Sequence, residues 1–368
     1  MVRILHTADW QLGAPFAAFP ERVRTLLAEA RLDVIDRIGA VARENDVRHV
    51  LVAGDVFDSP DPGDRVTTQA LARMKAAGCE WWLMPGNHDH VRGGALWPRL
   101  RRAGSACVHV LDRPEAEEME AGVWVLPAPL VNRHTAEDLT AAFDRVVTPP
   151  GAVRIGLAHG PVKDFSSGGQ GQPNLIPPDR AERSGLDYLA LGDWHGFVRI
   201  GQRTAYSGTP EPDRFGQEKA GHVVLADVGA GRLPEISGIS VGRYVWAERE
   251  WRPESAEDVR REKEAVLSGG RASSTLLSLH LKGALALAAL AEMNRELADL
   301  EDHLLYLRQR DEIVRRPDGG DLSCIGPEGA LALAAARLKA LAEGGDMRAG
   351  RALERLYTEV LRVSGSGS

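Results

Sequence analysis

The sequence predicts an α/β protein over residues 1–246, followed by a smaller domain over 247–363. Three observations predict it. Short apolar runs alternate with helix-patterned segments through the first half, as in layered α/β folds. Several of those runs stop at polar groups able to bind a cation. Near residue 247 the composition changes to a charged stretch and then a small, polar one, "AEREWRPESAEDVRREKEAVLSGGRASS".

The elements follow in order. "VRIL" (2–5) reads as the first strand. From Pro20 to Asn45, Val23, Leu26, Leu27, Ala30, Val34, Ile38 and Val41 keep a helical spacing. "RHVLVAG" (48–54) is the next strand and "VTTQALARMKAAG" (66–78) the next helix. Further strands are expected at 80–86, 107–111, 122–129, 153–160 and 187–196. After residue 200 the pattern turns β-rich, which suggests a second sheet in a sandwich. "SSGGQGQ" (166–172) reads as a flexible loop. In the smaller domain, "TLLSLHLKG" (275–283) alternates like a strand. Leu290, Met293, Leu297, Leu300, Leu304 and Leu307 then repeat with the spacing of a coiled-coil seam or a core-facing helix. A loop at 317–329, helices at about 328–343 and 346–363, and a linker-like tail at 364–368 complete the chain.

Bulk properties exclude several classes. The hydrophobic share is 43% and the charged share 26%, as in globular proteins. No apolar run reaches a membrane span, and no signal peptide is expected. Three scattered cysteines without a CxxC pair argue against a disulfide framework or thiolate zinc site, and fit a reducing cytoplasm. The net charge of -7 is divided between the two parts, so a nucleic-acid partner would meet a local patch or bound cations.

Five strands share one ending. Asp9 follows "LHTA"; Asp55 and Asp58 lie in "VLVAGDVFD"; Asn87, His88 and Asp89 lie in "WWLMPGNHDH"; His159 follows "IGLA"; Asp193 and His195 lie in "LALGDWHG". Ligands of open α/β sheets bind at the carboxyl ends of strands. Convergence of these groups points to a metal site in one cleft. Beside it, Arg92, Arg99, Arg101 and Arg102 form a basic cluster suited to phosphate contacts. Trp10 and Trp194 flank ligand positions and are candidates to stack on bases.

This series resembles the calcineurin-like metallophosphoesterases. "LHTADWQLG" with "VAGDVFD" and "GNHD" is similar to the SbcD-type DNA repair exonucleases, and "AYSGTPEPDRF" (205–215) resembles a segment of that family. The likeness spans roughly residues 1–245. It implies a four-layer α-β-β-α sandwich with a smaller C-terminal α+β capping domain. It implies two divalent metal ions: Asp9, Gln11, Asp55 and His195 would hold one, and Asp55, Asn87, His159 and Asp193 the other. His88, oriented by Asp58, would be the acid that protonates the leaving oxygen. The donor mix suits manganese, with magnesium or iron as alternatives. The implied activity is phosphodiester hydrolysis on DNA by a metal-activated water, with an SbcC-type ATPase and a second copy of the chain as partners. Two positions depart from the family, which has histidine at both: Gln11 should weaken the first metal position, and Asp193 should tighten hard cations at the second. The alternatives are a small-molecule phosphodiesterase or phosphatase, for instance on cyclic nucleotides, and a degenerate, non-catalytic DNA-binding relative.

Overall fold

The computed structural model describes residues 1–103, 106–163, 173–316 and 329–365. The loop expected at 166–172, residues 317–328 of the loop expected at 317–329 and the end of the tail lie outside the described residues. The chain forms two compact units, Met1–Tyr244 and Val245–Ser368.

The first unit holds two six-stranded sheets. In one, β1 (Val2–Thr7), β2 (His49–Ala53), β3 (Glu80–Met84) and β4 (Val108–Val110) run parallel. The other contains β5 (Glu117–Glu120), β6 (Val123–Ala128), β7 (Val153–His159), β8 (Tyr188–Gly192), β9 (Val198–Ile200) and β10 (Thr204–Tyr206), with β6, β7, β8 and β10 parallel. β11 (His222–Val228) and β12 (Glu235–Ser240) return to the first sheet and pair antiparallel along its β1 edge.

Period-two alternation divides each strand between two cores. Ile4, Leu51 and Ala53 pack between the sheets with Val125, Ile155 and Leu157. Their neighbours Leu5, Val50 and Val52 face outward, onto Val34, Ile35 and Ile38 of α1 (Glu21–Glu44) and Met74 of α2 (Asp64–Ala77). Leu96 and Leu100 of α3 (Leu96–Ala103) join the same layer. Across the sandwich, Leu126, Leu189 and Leu191 pack against Phe143 of a 3₁₀ segment (Leu139–Arg145) and Ala181 of α4 (Arg180–Arg183). The layer order is therefore helix, sheet, sheet, helix.

The second unit is α+β. β13 (Val245–Trp251), β14 (Thr275–Ala286) and β15 (Tyr306–Arg316) form a parallel three-stranded sheet. One face is covered by α5 (Ala256–Leu267), opened by a capping box of Ser255 and Asp258, and by α6 (Leu287–His303). α7 (Ala330–Glu343) and α8 (Met347–Gly365) pack on each other through Ala335, Leu353 and Tyr357. The expected helical seam is shorter than its leucine spacing. Leu304 is the C-cap of α6 and Leu307 belongs to β15. Both are buried in the same core as Leu290 and Leu297, so one cluster draws leucines from a helix and then from a strand. Among the described residues no helix is long and apolar enough to cross a membrane.

Candidate metal centre

Parallel pairing puts the carboxyl ends of β1, β2 and β3 at one end of their sheet, and those of β7 and β8 at one end of theirs. Beyond the strands the backbone stays stitched. Asp9 N–H donates to the Gly54 carbonyl at 3.1 Å, Gln11 N–H to Asp55 O at 2.9 Å, and Gly160 N–H to Gly192 O at 3.1 Å. Three residues of the strand-end series and the proposed ligand Gln11 hold left-handed backbone: Asp9 (φ 57°), Asp55 (52°), Asp193 (99°) and Gln11 (44°). Such conformations cost about 1–3 kcal/mol each and cluster at functional sites.

The ligating atoms of Asp9, Asp55 and His159 lie within 4.8 Å of one another, all on buried side chains. His159 Nδ1 bonds the Ala53 carbonyl at 2.8 Å, which fixes the ring and turns Nε2 into the cluster. Nε2 lies 2.8 Å from Asn87 Oδ1, 3.6 Å from Asp55 Oδ1 and 3.9 Å from Asp193 Oδ1. The Asp193 N–H reaches both carboxylate oxygens of Asp9 at 3.1 Å. Close approach depends on two glycines. A Cβ on Gly86 would sit 2.2 Å from Asp55 Oδ1, and one on Gly54 (φ 90°) 2.3 Å from His159 Nδ1.

The pocket has a surplus of anionic groups. Burial raises Asp9 to about 6, with Asp55 and Asp193 adding to the shift and His195 and His159 opposing it. Burial would depress His159, but Asp55, Asp9 and Asp193 outweigh it and hold the imidazole up at about 9. Buried carboxylates, an amide oxygen and an imidazole around one point are the donor set of a hard or borderline divalent cation. The residues present therefore fit such an ion.

His88 stands beside this cluster. Its backbone N–H donates to Asp55 Oδ1 at 2.8 Å. Its Nδ1 lies 3.1 Å from the Asp58 carbonyl and 3.4 Å from Asp58 Oδ1. The hydrogen bond to the Asp58 side chain raises His88 to about 9, against burial and with help from Asp55. Asp89, grouped with its neighbours in the sequence but given no task, is a clamp. Its oxygens accept the Gly86 N–H at 2.7 Å and the Phe57 N–H at 3.0 Å, tying the β3 loop to the β2 loop.

His195 is half-buried, held by a loop whose partners sequence reading missed. Its Nδ1 lies 2.6 Å from Gln217 Nε2 and 3.7 Å from Asp213 Oδ2. Asp213 also pairs with the buried Arg31 at 2.7 Å. Burial alone would raise Asp213; the neighbouring His195 imidazole and the Arg31 guanidinium reverse this and hold it below the ordinary carboxylate range. Thr209 Oγ1 donates to the Asp9 carbonyl at 2.8 Å. Thr209 and Asp213 fall in "AYSGTPEPDRF", which was the available signal for them.

The candidate DNA-contact residues divide. Trp10 is 1% exposed, packed edge-on against Trp81, with its indole N–H on Thr7 Oγ1. The expectation that it stacks on a base is corrected: it is a core residue, packed in the layer that also holds Val34, Ile35 and Ile38 of α1. Trp194 is 44% exposed, next to Asp193. Arg99 pairs with Asp64 and Thr67, and Arg101 with Asp112 and the Val110 carbonyl. Their charges are balanced within the protein. Arg92 and Arg102 form no ion pair among the described residues.

The family described as calcineurin-like phosphoesterase matches residues 2–197. The chain is 30% identical over 288 residues to the SbcD component of the nuclease SbcCD from Rhodobacter capsulatus, covering 63% of this chain and 68% of that one. It is 28% identical over 198 residues to the DNA double-strand break repair protein Mre11 of Haloferax volcanii, covering 53% and 42%. To the SbcD component of the nuclease SbcCD from Bacillus subtilis it is 28% identical over 127 residues, covering 33% and 30%. The match thus spans less than half the length of the latter two relatives.

Proposed function

This chain belongs to the calcineurin-like phosphoesterase family, a family of metal-dependent phosphoester hydrolases, and from that premise we propose that it hydrolyses phosphodiester bonds of DNA as the nuclease subunit of an SbcCD-like repair complex. One observation carries the reading: Asp9, Asp55 and His159 converge with Asn87 and Asp193 beside a His88 whose Nδ1 faces Asp58. The names of the nuclease relatives support DNA as the substrate.

In this reading Asp9, Gln11, Asp55 and His195 hold one divalent ion, and Asp55, Asn87, His159 and Asp193 the other, manganese at both. Bound there, the ions supply Lewis acidity and an acidified water as nucleophile. The protein's own groups do the rest. Asp55, between both sets, fixes the β2 and β3 loops against each other through the His88 N–H. His88 holds its proton because Asp58 faces Nδ1, and delivers it to the leaving oxygen. Exposed Trp194 lines the approach and offers a face to an unpaired base. The second unit docks an SbcC-type ATPase, and the protein works in the cytoplasm.

The test is digestion of linear single- and double-stranded DNA, beside a chromogenic phosphodiester, with manganese and with EDTA, for the wild type and Gln11→His. Manganese-dependent DNA cleavage is expected, with Gln11→His reaching full rate at lower manganese. Cleavage of the small ester alone would reject DNA as the substrate. Turnover of neither would reject hydrolysis.

A further inference from the structure

Gln217 cannot be turned to suit His195, because Asp213 fixes it from both ends. The Asp213 N–H donates to Gln217 Oε1 at 3.1 Å, and Gln217 Nε2 donates to Asp213 Oδ1 at 2.7 Å. The second hydrogen of that amide nitrogen is therefore directed at His195 Nδ1, 2.6 Å away. An Nδ1 that accepts a hydrogen bond carries no proton. The neutral ring then has its proton on Nε2, the nitrogen left for a cation.

A histidine that ligates through Nε2 needs its proton on Nδ1, given to an acceptor that orients the ring. The acceptor beside Nδ1 is Asp213 Oδ2, 3.7 Å away. Arg31 holds that oxygen at 2.7 Å, and its other terminal nitrogen donates to the Trp10 carbonyl, between Asp9 and Gln11. Arg31 thus ties the segment carrying two of the proposed ligands to the acceptor that serves a third.

We propose that Asp213, held by Arg31, is the positioning residue that lets His195 ligate a cation, and that Gln217 opposes it by stabilising the wrong tautomer. Ligation then requires the proton to leave Nε2 and arrive on Nδ1, with no net charge gained or lost. The ring exchanges a hydrogen bond from Gln217 for one to Asp213. This rests on the metal assignment above and adds to it that the first metal position is held weak by a neighbour of its ligand as well as by Gln11.

Two substitutions should act with opposite sign. Gln217→Ala removes the competing donor, and manganese affinity at the first position should rise about tenfold. Asp213→Asn removes the charge and one of the two oxygens that Arg31, Gln217 and His195 share, and affinity there should fall at least about tenfold, the usual size of such outer contacts. The second position should be unchanged in both, by calorimetric titration. Long-range ¹H–¹⁵N NMR of the imidazole, recorded in EDTA, gives an independent readout. His195 should be the Nε2–H tautomer in the wild type and shift toward Nδ1–H in Gln217→Ala. A wild-type Nδ1–H tautomer, or equal affinities in all three proteins, overturns the proposal. So does parallel weakening of both positions, which marks a purely structural role. Should Asp213→Asn fail to fold, Gln217→Ala and the wild-type spectrum decide alone. A wild type that binds no manganese but shows the Nε2–H tautomer rejects the metal assignment while supporting the Gln217 contact.

Discussion

At the scale of single residues, His88 and Asp58 separate ion binding from proton delivery. The His88 backbone N–H, not its ring, bonds Asp55, so His88→Ala keeps that contact while deleting the acid. Turnover should fall by roughly 10²–10⁴-fold, with manganese still bound by titration. Loss of the ion along with activity would show that the ring is structural. Asp58→Asn is the finer test. The Asp58 side chain is the largest contribution holding His88 near 9. A general acid works only while protonated, so activity is lost as pH rises through its pKa. Removing the Asp58 charge should move the alkaline limb of the kcat profile down by about 1–3 pH units. An unmoved limb would mean that another group is titrating.

At the scale of elements, the site is a property of strand ends and of what the next residue can tolerate. Gly86 follows β3 by two positions, and a methyl group there would meet Asp55 Oδ1 at 2.2 Å and Asp55 N at 2.4 Å. One of those atoms is backbone held by the β2 loop, so the loops must part. Gly86→Ala should cost about 1–3 kcal/mol of stability and weaken both ions, since Asp55 serves both in the proposed assignment; unchanged manganese titration and melting would contradict this. Much of this arrangement was legible in the sequence. An apolar run ending in an acidic or histidine residue is a local pattern, and parallel pairing converts it into a cluster without further information. What was not legible depends on distance or on coincidence. Arg31 and Asp213 meet across 182 positions, and nothing near either announces the other. Leu304 and Leu307 continue the 3-4 leucine spacing by chance while the chain changes from helix to strand, because a buried strand and a buried helix face both ask for leucine. Trp10 shows a third failure: proximity in sequence to ligand positions did not give proximity to solvent.

At the scale of the whole molecule, two predictions concern how the first unit holds together. His6 of β1 and Tyr188 of β8 join the two sheets: Nδ1 meets the phenol oxygen at 2.8 Å and Nε2 the Leu191 carbonyl at 3.1 Å. Burial pushes His6 down to about 3, so the unfolded chain takes up a proton there before the folded one does. This contribution is complete above the ordinary histidine pKa of about 6.5 and is lost as pH falls from there toward 3. Between pH 6.5 and 4.5 the melting temperature of the wild type should fall more steeply than that of His6→Gln; parallel slopes would assign the acid limb elsewhere. The ions act on the same unit by a different route. The proposed ligands all lie within Met1–Tyr244, and an ion that binds only the folded site stabilises it by mass action. At a hundredfold excess over Kd that is about 2.7 kcal/mol, or roughly 5–10 °C for a unit of this size. Calorimetry of the full chain should therefore show one transition that rises with manganese and drops with EDTA, and a second that ignores both. Equal shifts of both transitions would mean that the ion reports on the chain at large and not on a centre built by the strand ends of the first unit.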